Sequence, residues 1–160
     1  MNWMSPIIFR RAEIADLPAI IGLLCQDELG SNRESQGTSS YPLYEKAFKQ
    51  ISKDPNQYLL VAENNDAIVG TCHLTFMPSL TFKGSMRMNI EAVRVHADWR
   101  GKGLGEKMLQ HAVNMAKERE CKIVQLATNK QRHLAQSFYE KLGFQATHVG
   151  MKLCLDENNM

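Results

Sequence analysis

The chain has 160 residues, 44% of them hydrophobic and 22% charged, which is about one domain's length and a composition that supports a packed core rather than wholesale disorder. Nineteen Lys and Arg against seventeen Asp and Glu leave a formal charge of +2, too small to point to a nucleic acid or an anionic membrane as partner. The most apolar run, around Leu17 to Cys25, is far short of the about 20 residues of a membrane span, the opening MNWMSPIIFRR lacks a leader's basic-then-apolar pattern, and the four scattered cysteines include no C-x-x-C pair, so a single cytoplasmic domain over 1–160 is expected, without disulfide or metal site.

A first strand is expected over residues 6–10. Asp16 then offers an N-cap with Pro18 just inside, and Leu17, Ile20, Ile21, Leu24 and Leu29 recur at helical spacing. Residues 30–40 (GSNRESQGTSS) are rich in Ser and Gly and read as a loop, followed by a short helix over 42–52. Two strand-like runs, 58–63 and 67–76, flank Asn64-Asn65-Asp66, residues that tolerate positive φ and so signal a hairpin. A third strand is expected over 85–96. The run RGKGLG leads into a helix over 102–118 with Leu104, Met108, Ala112 and Met115 on one stripe. Residues 121–127 read as a buried strand. Leu134, Phe138 and Leu142 mark a second amphipathic helix that Gly143 ends, and residues 145–155 read as a last strand. The order β α α β β β α β α β predicts an α/β (α+β) domain, a mixed and mostly antiparallel sheet flanked by helices on both faces.

Chemistry concentrates in IEAVRVHADWRGKGLGEKML, residues 90–109, where a strand runs straight into a glycine-rich turn that opens a helix. Gly101, Gly103 and Gly105 allow close backbone approach, and the helix start presents free N–H groups. Aligned peptide dipoles favour a phosphate or pyrophosphate there, with Arg100 and Lys102 adding full charges. A tight strand-to-helix connection would use the same glycines. No G-x-x-x-x-G-K-[ST] occurs, which excludes a P-loop, and the third glycine has the wrong spacing for G-x-G-x-x-G.

Arg100-Gly101-Lys102-Gly103-Leu104-Gly105 resembles the (R/Q)-x-x-G-x-(G/A) pyrophosphate loop of the GNAT superfamily of acetyl-CoA-dependent N-acetyltransferases. Ala135-x-x-Phe138-Tyr139-Glu140-Lys141-Leu142-Gly143-Phe144 resembles that family's second signature, and the strand over 121–127 lies between the two, as in the family. The resemblance implies acetyl-CoA as cofactor and a sheet that splays open between the 90–96 strand and the 121–127 strand. In that gap the pantetheine arm acts as a pseudo-strand against backbone groups of Val93 and Val95. It implies a pyrophosphate on amides of Gly101, Lys102, Gly103, Leu104, Gly105 and Glu106, and an acetyl carbonyl facing a backbone N–H near Val93. Tyr139 takes the family's place for a hydroxyl near the coenzyme sulfur, as acid or thiolate stabiliser; packing alone is its other role.

Glu91 falls where several relatives, glucosamine-phosphate acetyltransferases among them, carry the carboxylate that accepts the amine's proton. An ion pair with Arg87 or Arg94 is the alternative. By strand alternation Arg87, Asn89 and Glu91 share a face unless a bulge intervenes. Many members carry Asn where Arg132 stands, which leaves Asn129 or Arg132 to contact the coenzyme from this helix start, Arg132 through a phosphate. Ala97 stands where the family often has Pro. The run 128–133 (TNKQRH) resembles that of some small-amine and aminoalkylphosphonate acetyltransferases, with His133 either on the coenzyme or solvated at the helix start.

No activated cysteine is evident in the sequence, so the resemblance implies direct attack by a small-molecule primary amine in a ternary complex, not an acetyl-enzyme. An inactive coenzyme-binding sensor or partner subunit, and a protein- or peptide-directed transferase with residues 30–40 shaping a groove, are the other functions open. Residues 29–44 and 77–88 should shape the acceptor pocket. Arg33, Glu34, Tyr41, Tyr44, Lys83 and Arg87 there suit a zwitterionic or phosphate-bearing amine. Family members often form homodimers.

Overall fold

Alternating apolar residues build five strands: β1 (Ile8–Arg11), β2 (Gln57–Asn64), β3 (Ala67–Met77), β4 (Arg87–Val95) and β5 (Ile123–Leu126). In a computed structural model, which describes residues 5–27 and 29–156, they form one sheet in chain order. Residues 1–4 of the opening segment read for a leader lie outside the described residues. β1 to β4 are antiparallel neighbours, whereas β5 runs parallel to β4. That last pairing needs a crossover, which helix α3 (Leu104–Glu118) supplies. At the β2–β3 turn Asn65 and Asp66 take φ of 48° and 63°, the left-handed pair that a tight hairpin demands.

Helices α1 (Leu17–Cys25) and α2 (Tyr41–Lys53) cover one face of the sheet. Helix α3 and helix α4 (His133–Lys141) cover the other. Leu60, Val61 and Ala62 are consecutive on β2 and all fully buried, because a strand with both faces covered buries both of its side-chain rows. Leu60, Cys72, Leu74, Met88 and Ile90 pack against Leu104, Met108 and Ala112 of α3. Val61 packs on the opposite face with Leu17, Ile20, Ile21 and Phe48. Arg10 on β1 binds both carboxylate oxygens of Asp16 (2.7 and 2.9 Å) and Glu63 on β2 (2.8 Å), which ties the start of α1 to the sheet.

Several elements depart from the sequence pattern. Helix α1 ends at Cys25, short of Leu29, and one 3₁₀ turn at Gly30–Asn32 opens the Ser/Gly-rich stretch. Leu134 on α4 is 89% exposed, so only Phe138, Tyr139 and Leu142 of that stretch reach the core. The strand expected over 145–155 does not form. These residues join no ladder, and of their side chains only that of Cys154 is partly covered. A strand needs a partner edge, and within one chain this segment meets none.

A β-bulge interrupts the centre of the sheet. His73 pairs with Glu91 but Thr71 pairs with Arg94, so Cys72 alone spans Ala92 and Val93, and Ala92 takes φ of 53°. Arg87, Asn89 and Glu91 therefore share the α1/α2 face with His73 and Thr75, as alternation predicts. Past the bulge Arg94 returns to that same face, while Val93 and Val95 pack toward α3.

Candidate active site

β4 pairs with β5 from Arg87/Ile123 to Ile90/Leu126 and no further. β5 stops there while β4 runs on to Val95, so from Glu91 onward β4 has no strand on that side. This is the splay expected from the sequence, and its free backbone groups need another partner. Val93 and Val95 lie along it. Thr128 Oγ1, just past β5, and Arg94 Nε are buried without a hydrogen-bond partner among the described residues.

β4 leads through the turn Ala97–Trp99 into the glycine loop. Arg100 Nε donates to Val95 O (3.1 Å) and Lys102 Nζ to Asp98 O (2.7 Å), which tethers both cations beside the loop. Gly101 and Gly103 take φ of 72° and 86°. A Cβ at either would meet nothing within 4 Å, so glycine is required there for its dihedrals rather than for space. At Gly105 a Cβ would make only ordinary contacts, 3.4 Å from Phe138 Cζ and 3.7 Å from Val95 Cγ2, so a small side chain fits there. The first helical bond of α3 runs from Lys107 N to Gly103 O (3.2 Å). The amides of Leu104, Gly105 and Glu106 are thus the free donors of the first turn. The Leu104 side chain is buried, so this residue can offer a ligand only its amide.

Tyr139 sits on α4 with its ring edge-on to Phe138 (5.3 Å) and Phe144 (6.0 Å). Burial raises its pKa and the nearby Cys72 thiol adds to the rise, with Arg94 and Arg132 opposing, so the phenol keeps its proton at neutral pH. Arg132, at the N-cap of α4, donates through Nη1 and Nη2 to both carboxylate oxygens of Asp27. Arg94 Nη2 stands 3.7 Å from the same carboxylate. Burial pushes the Asp27 carboxyl up, but the Arg132 hydrogen bond, the Gly30 N–H (2.9 Å) and the two arginine charges outweigh it and hold the group below the usual carboxylate value. Arg132 is thus engaged with Asp27. Asn129 Oδ1 accepts from Gln131 N (2.9 Å) in a local turn, and His133 is exposed at the helix start.

Glu91 pairs with neither Arg87 nor Arg94. Arg87 lies over the Phe82 ring (5.2 Å) and donates to Thr81 Oγ1. The Glu91 carboxylate is instead 3.9 Å from His73 Nδ1. Gln57 Oε1 accepts from Thr75 Oγ1 (3.0 Å) and stands 2.6 Å from His73 Nε2. That network assigns the proton to Nε2 and leaves the Nδ1 lone pair facing Glu91. Burial lowers the His73 pKa, with Glu91 acting against it, so the imidazole is neutral at pH 7. Beside it, Leu17, Ile20, Tyr44, Thr71, His73 and Ala92 contribute to the lining of a cavity of about 140 Å³. His73 escapes the sequence reading because a lone His in an alternating strand shows no partner; Gln57 and Glu91 come from two other strands.

All four cysteines are free, and burial pushes the Cys72 thiol up to about 12. Among the described residues no His/Cys/Asp/Glu group could hold a metal, and no helix is long and apolar enough to cross a membrane.

A ladder that opens onto a row of helix-terminal amides suits an acyl thioester carried on a long arm with a pyrophosphate at its far end. That defines the class as an acyl-CoA-dependent transferase. The sequence pattern of the Acetyltransferase (GNAT) family matches residues 23–144, and the chain belongs to that family, whose members are N-acetyltransferases that use acetyl-CoA. A solved structure described as a transcriptional regulator from Bacillus halodurans C-125 is 43% identical, covering 94% of this chain and 100% of that one with a TM-score of 0.91. The glucosamine 6-phosphate N-acetyltransferase of Trypanosoma brucei brucei is 34% identical over 88 residues, 55% of this chain and 58% of that protein. The aminoalkylphosphonate N-acetyltransferase of Salmonella typhimurium is 26% identical over 139 residues, 87% of this chain and 85% of that protein. The matches to three of the curated relatives span 57–60% of those proteins' own lengths.

Proposed function

We propose that this chain transfers an acetyl group to the primary amine of a small molecule by direct attack in a ternary complex. The observation that carries the reading is the Glu91–His73 pair. A carboxylate and a neutral imidazole lone pair face each other across 3.9 Å, on the first residue of β4 past its last pairing with β5. An ammonium placed between them is attracted by the carboxylate and loses its proton to either group. The adjoining cavity of about 140 Å³ suits a compact acceptor better than a peptide.

The gap along Val93 and Val95 would hold the pantetheine arm, and the amides from Gly101 to Glu106, with Arg100 and Lys102, would hold the pyrophosphate. Asn129 and Arg132 border this site at the start of α4, where Arg132 fixes the helix through Asp27. Bound there, acetyl-CoA supplies an activated acyl carbon. The Val93 amide would face the carbonyl oxygen and stabilise negative charge as it develops. Tyr139 Oη, protonated at neutral pH, would deliver its proton to the departing sulfur. The ammonium would thus lose two protons in becoming an amide, one to Glu91 or His73 and a second that replaces the proton Tyr139 gives to the sulfur. Burial raises the thiol pKa of Cys25, Cys72 and Cys121, which favours direct attack over an acetyl-cysteine.

The test measures thiol release from acetyl-CoA across amino acids, polyamines, aminoalkylphosphonates, amino sugars and short peptides, with spontaneous hydrolysis subtracted. Turnover with one small-amine class is expected. Glu91→Gln and Tyr139→Phe should each lower kcat by about 10²-fold or more while acetyl-CoA binding, read calorimetrically, is retained. Turnover confined to peptides, or undiminished in Glu91→Gln, overturns the reading.

A further inference from the structure

Helices α1 and α2 close over the sheet beside His73. Ile20, Ile21 and Leu24 of α1 meet Ala47, Phe48 and Ile51 of α2 around the cavity of about 140 Å³. A cavity of about 150 Å³ lined by Leu, Ile and Phe stays dry and takes up benzene, so this one has room for a single small ring or a branched chain of roughly five carbons. It reaches the reacting end of the site. His73 and Ala92 belong to its wall, and the Glu91 carboxylate lies 3.9 Å from His73 Nδ1. Ala92 is exposed and follows Glu91 directly in the chain, which puts the opening beside the carboxylate.

The polar side chains in the wall are already engaged. Thr71 Oγ1 donates to Leu60 O (2.8 Å). Tyr44 Oη accepts from Ser35 N (3.1 Å) and has Glu34 beside it for its own proton. His73 Nε2 is held by Gln57 Oε1 at 2.6 Å. What is left is His73 Nδ1, at the Glu91 end. Among the described residues no Asp, Glu, Lys or Arg lines the cavity. Cations on the neighbouring elements are occupied as well, Arg87 by the Phe82 ring and Thr81, Arg94 and Arg132 by Asp27. A hydroxyl, carboxylate or phosphate placed in this space would give up its water and gain no partner, which is costly for any polar group and most costly for a charged one.

We infer that the acceptor is a primary amine with a compact apolar body, an aryl or branched alkyl group on a short linker, which enters the cavity between α1, α2 and the sheet while its ammonium stays at Glu91 and His73. This rests on the acyl transfer proposed above and names its acceptor class. The site offers negative charge at the opening and apolar surface behind it, the complement of a cation with one greasy end. An amino sugar, an aminoalkylphosphonate or an amino acid carries a second polar or anionic group close to its nitrogen. That group would lie against the apolar wall or beside the Glu91 carboxylate, and neither place stabilises it. The zwitterionic or phosphate-bearing amine suggested by the loop residues is therefore the poorer fit.

The experiment measures kcat/KM by thiol release with the wild-type chain, comparing 2-phenylethylamine and 3-methylbutylamine with ethylamine, 2-aminoethylphosphonate, glucosamine 6-phosphate and β-alanine. Burying a ring or branched chain of this size should raise kcat/KM over that of ethylamine by about 10- to 100-fold, with the three anionic amines below ethylamine. The Ala47→Phe variant adds a ring to the cavity wall from an exposed position on α2. With its far-ultraviolet dichroism kept, it should cut the preference for 2-phenylethylamine over ethylamine by about 10-fold or more. Apolar amines no better than ethylamine, an anionic amine better than both of them, or a preference that Ala47→Phe leaves intact would each overturn the inference while acetyl transfer to small amines stands. Turnover with none of these amines would overturn that transfer itself, and the acceptor class with it.

Discussion

Replacing Asp27 by Asn tests whether one carboxylate locks the start of α4 to the end of α1. Asp27 takes both Arg132 Nη donors, faces Arg94 at 3.7 Å and caps the Gly30 amide at 2.9 Å. The Asp27 and Arg94 side chains are 13% and 11% exposed, and that of Arg132 25%, so screening by water is weak for the first two and moderate for the third. The amide keeps the shape and loses the charge, leaving two guanidinium groups facing each other with the buried one uncompensated. Removing one partner from a buried ion pair costs about 3–5 kcal/mol. In a chain of this size that lowers Tm by roughly 10 °C. Urea unfolding of wild type, Asp27→Asn, Arg132→Met and the double variant closes a cycle, with a coupling of about 2 kcal/mol expected between the two sites. A loss under about 1 kcal/mol in Asp27→Asn would place these groups in the class of surface pairs and refute the reasoning.

Stability should also fall in acid. The Arg10 hydrogen bond holds the Asp16 carboxyl below its ordinary value, with burial opposing, and Asp27 is likewise lowered. Both contributions are complete above the ordinary carboxylate range and disappear as pH falls through the lowered folded values; urea midpoints taken from neutral to acidic pH should drop accordingly, and a flat profile would count against both assignments. Gly103→Ala should cost about 1–2 kcal/mol through its φ of 86° alone, since the space beside it is open, and should weaken acetyl-CoA binding measured by calorimetry. Unchanged stability and affinity would mean that the loop readily adopts another conformation. Native Cys72 should resist a thiol reagent that labels it readily once the chain is unfolded; rapid native labelling would show that the core beneath Tyr139 opens.

The strongly periodic parts of this fold were open to a sequence reading. The hairpin of β2 and β3, the apolar stripe of α3 and the glycine loop each depend on spacing within one segment, and each occurs in the structure within a few residues of its expected bounds. The remainder turns on partners far apart in the chain. Arg132 stands where the family resemblance suggested a phosphate contact, but its guanidinium is claimed by Asp27, more than a hundred residues earlier, and no local pattern encodes that pairing. His73 acquires its tautomer from Gln57 and its face from Glu91, so its chemistry exists only after three strands align. Residues 145–155 alternate as a strand should, yet alternation describes a face to be covered and says nothing of what covers it.

The bulge at Ala92 has a consequence for how this sequence must be compared with others. Strand parity is a count, and a single added or lost residue inverts every side chain on one side of the change. Glu91 and Arg94 are three positions apart, an odd separation that a regular strand would place on opposite faces, yet both reach the α1/α2 face because Ala92 and Val93 share one partner. Deleting Ala92 would leave β4 a regular strand in which Glu91 and Arg94, now two positions apart, still share the α1/α2 face. An ungapped alignment with a strand that lacks the bulge therefore equates residues that face opposite ways on one side of Ala92. With a homologue one residue shorter at this point, a single gap opposite Ala92 restores the match of faces from here to Val95. The left-handed residue in the middle of the sheet thus acts as a frame marker, fixing which of two interleaved patterns each half of the strand obeys.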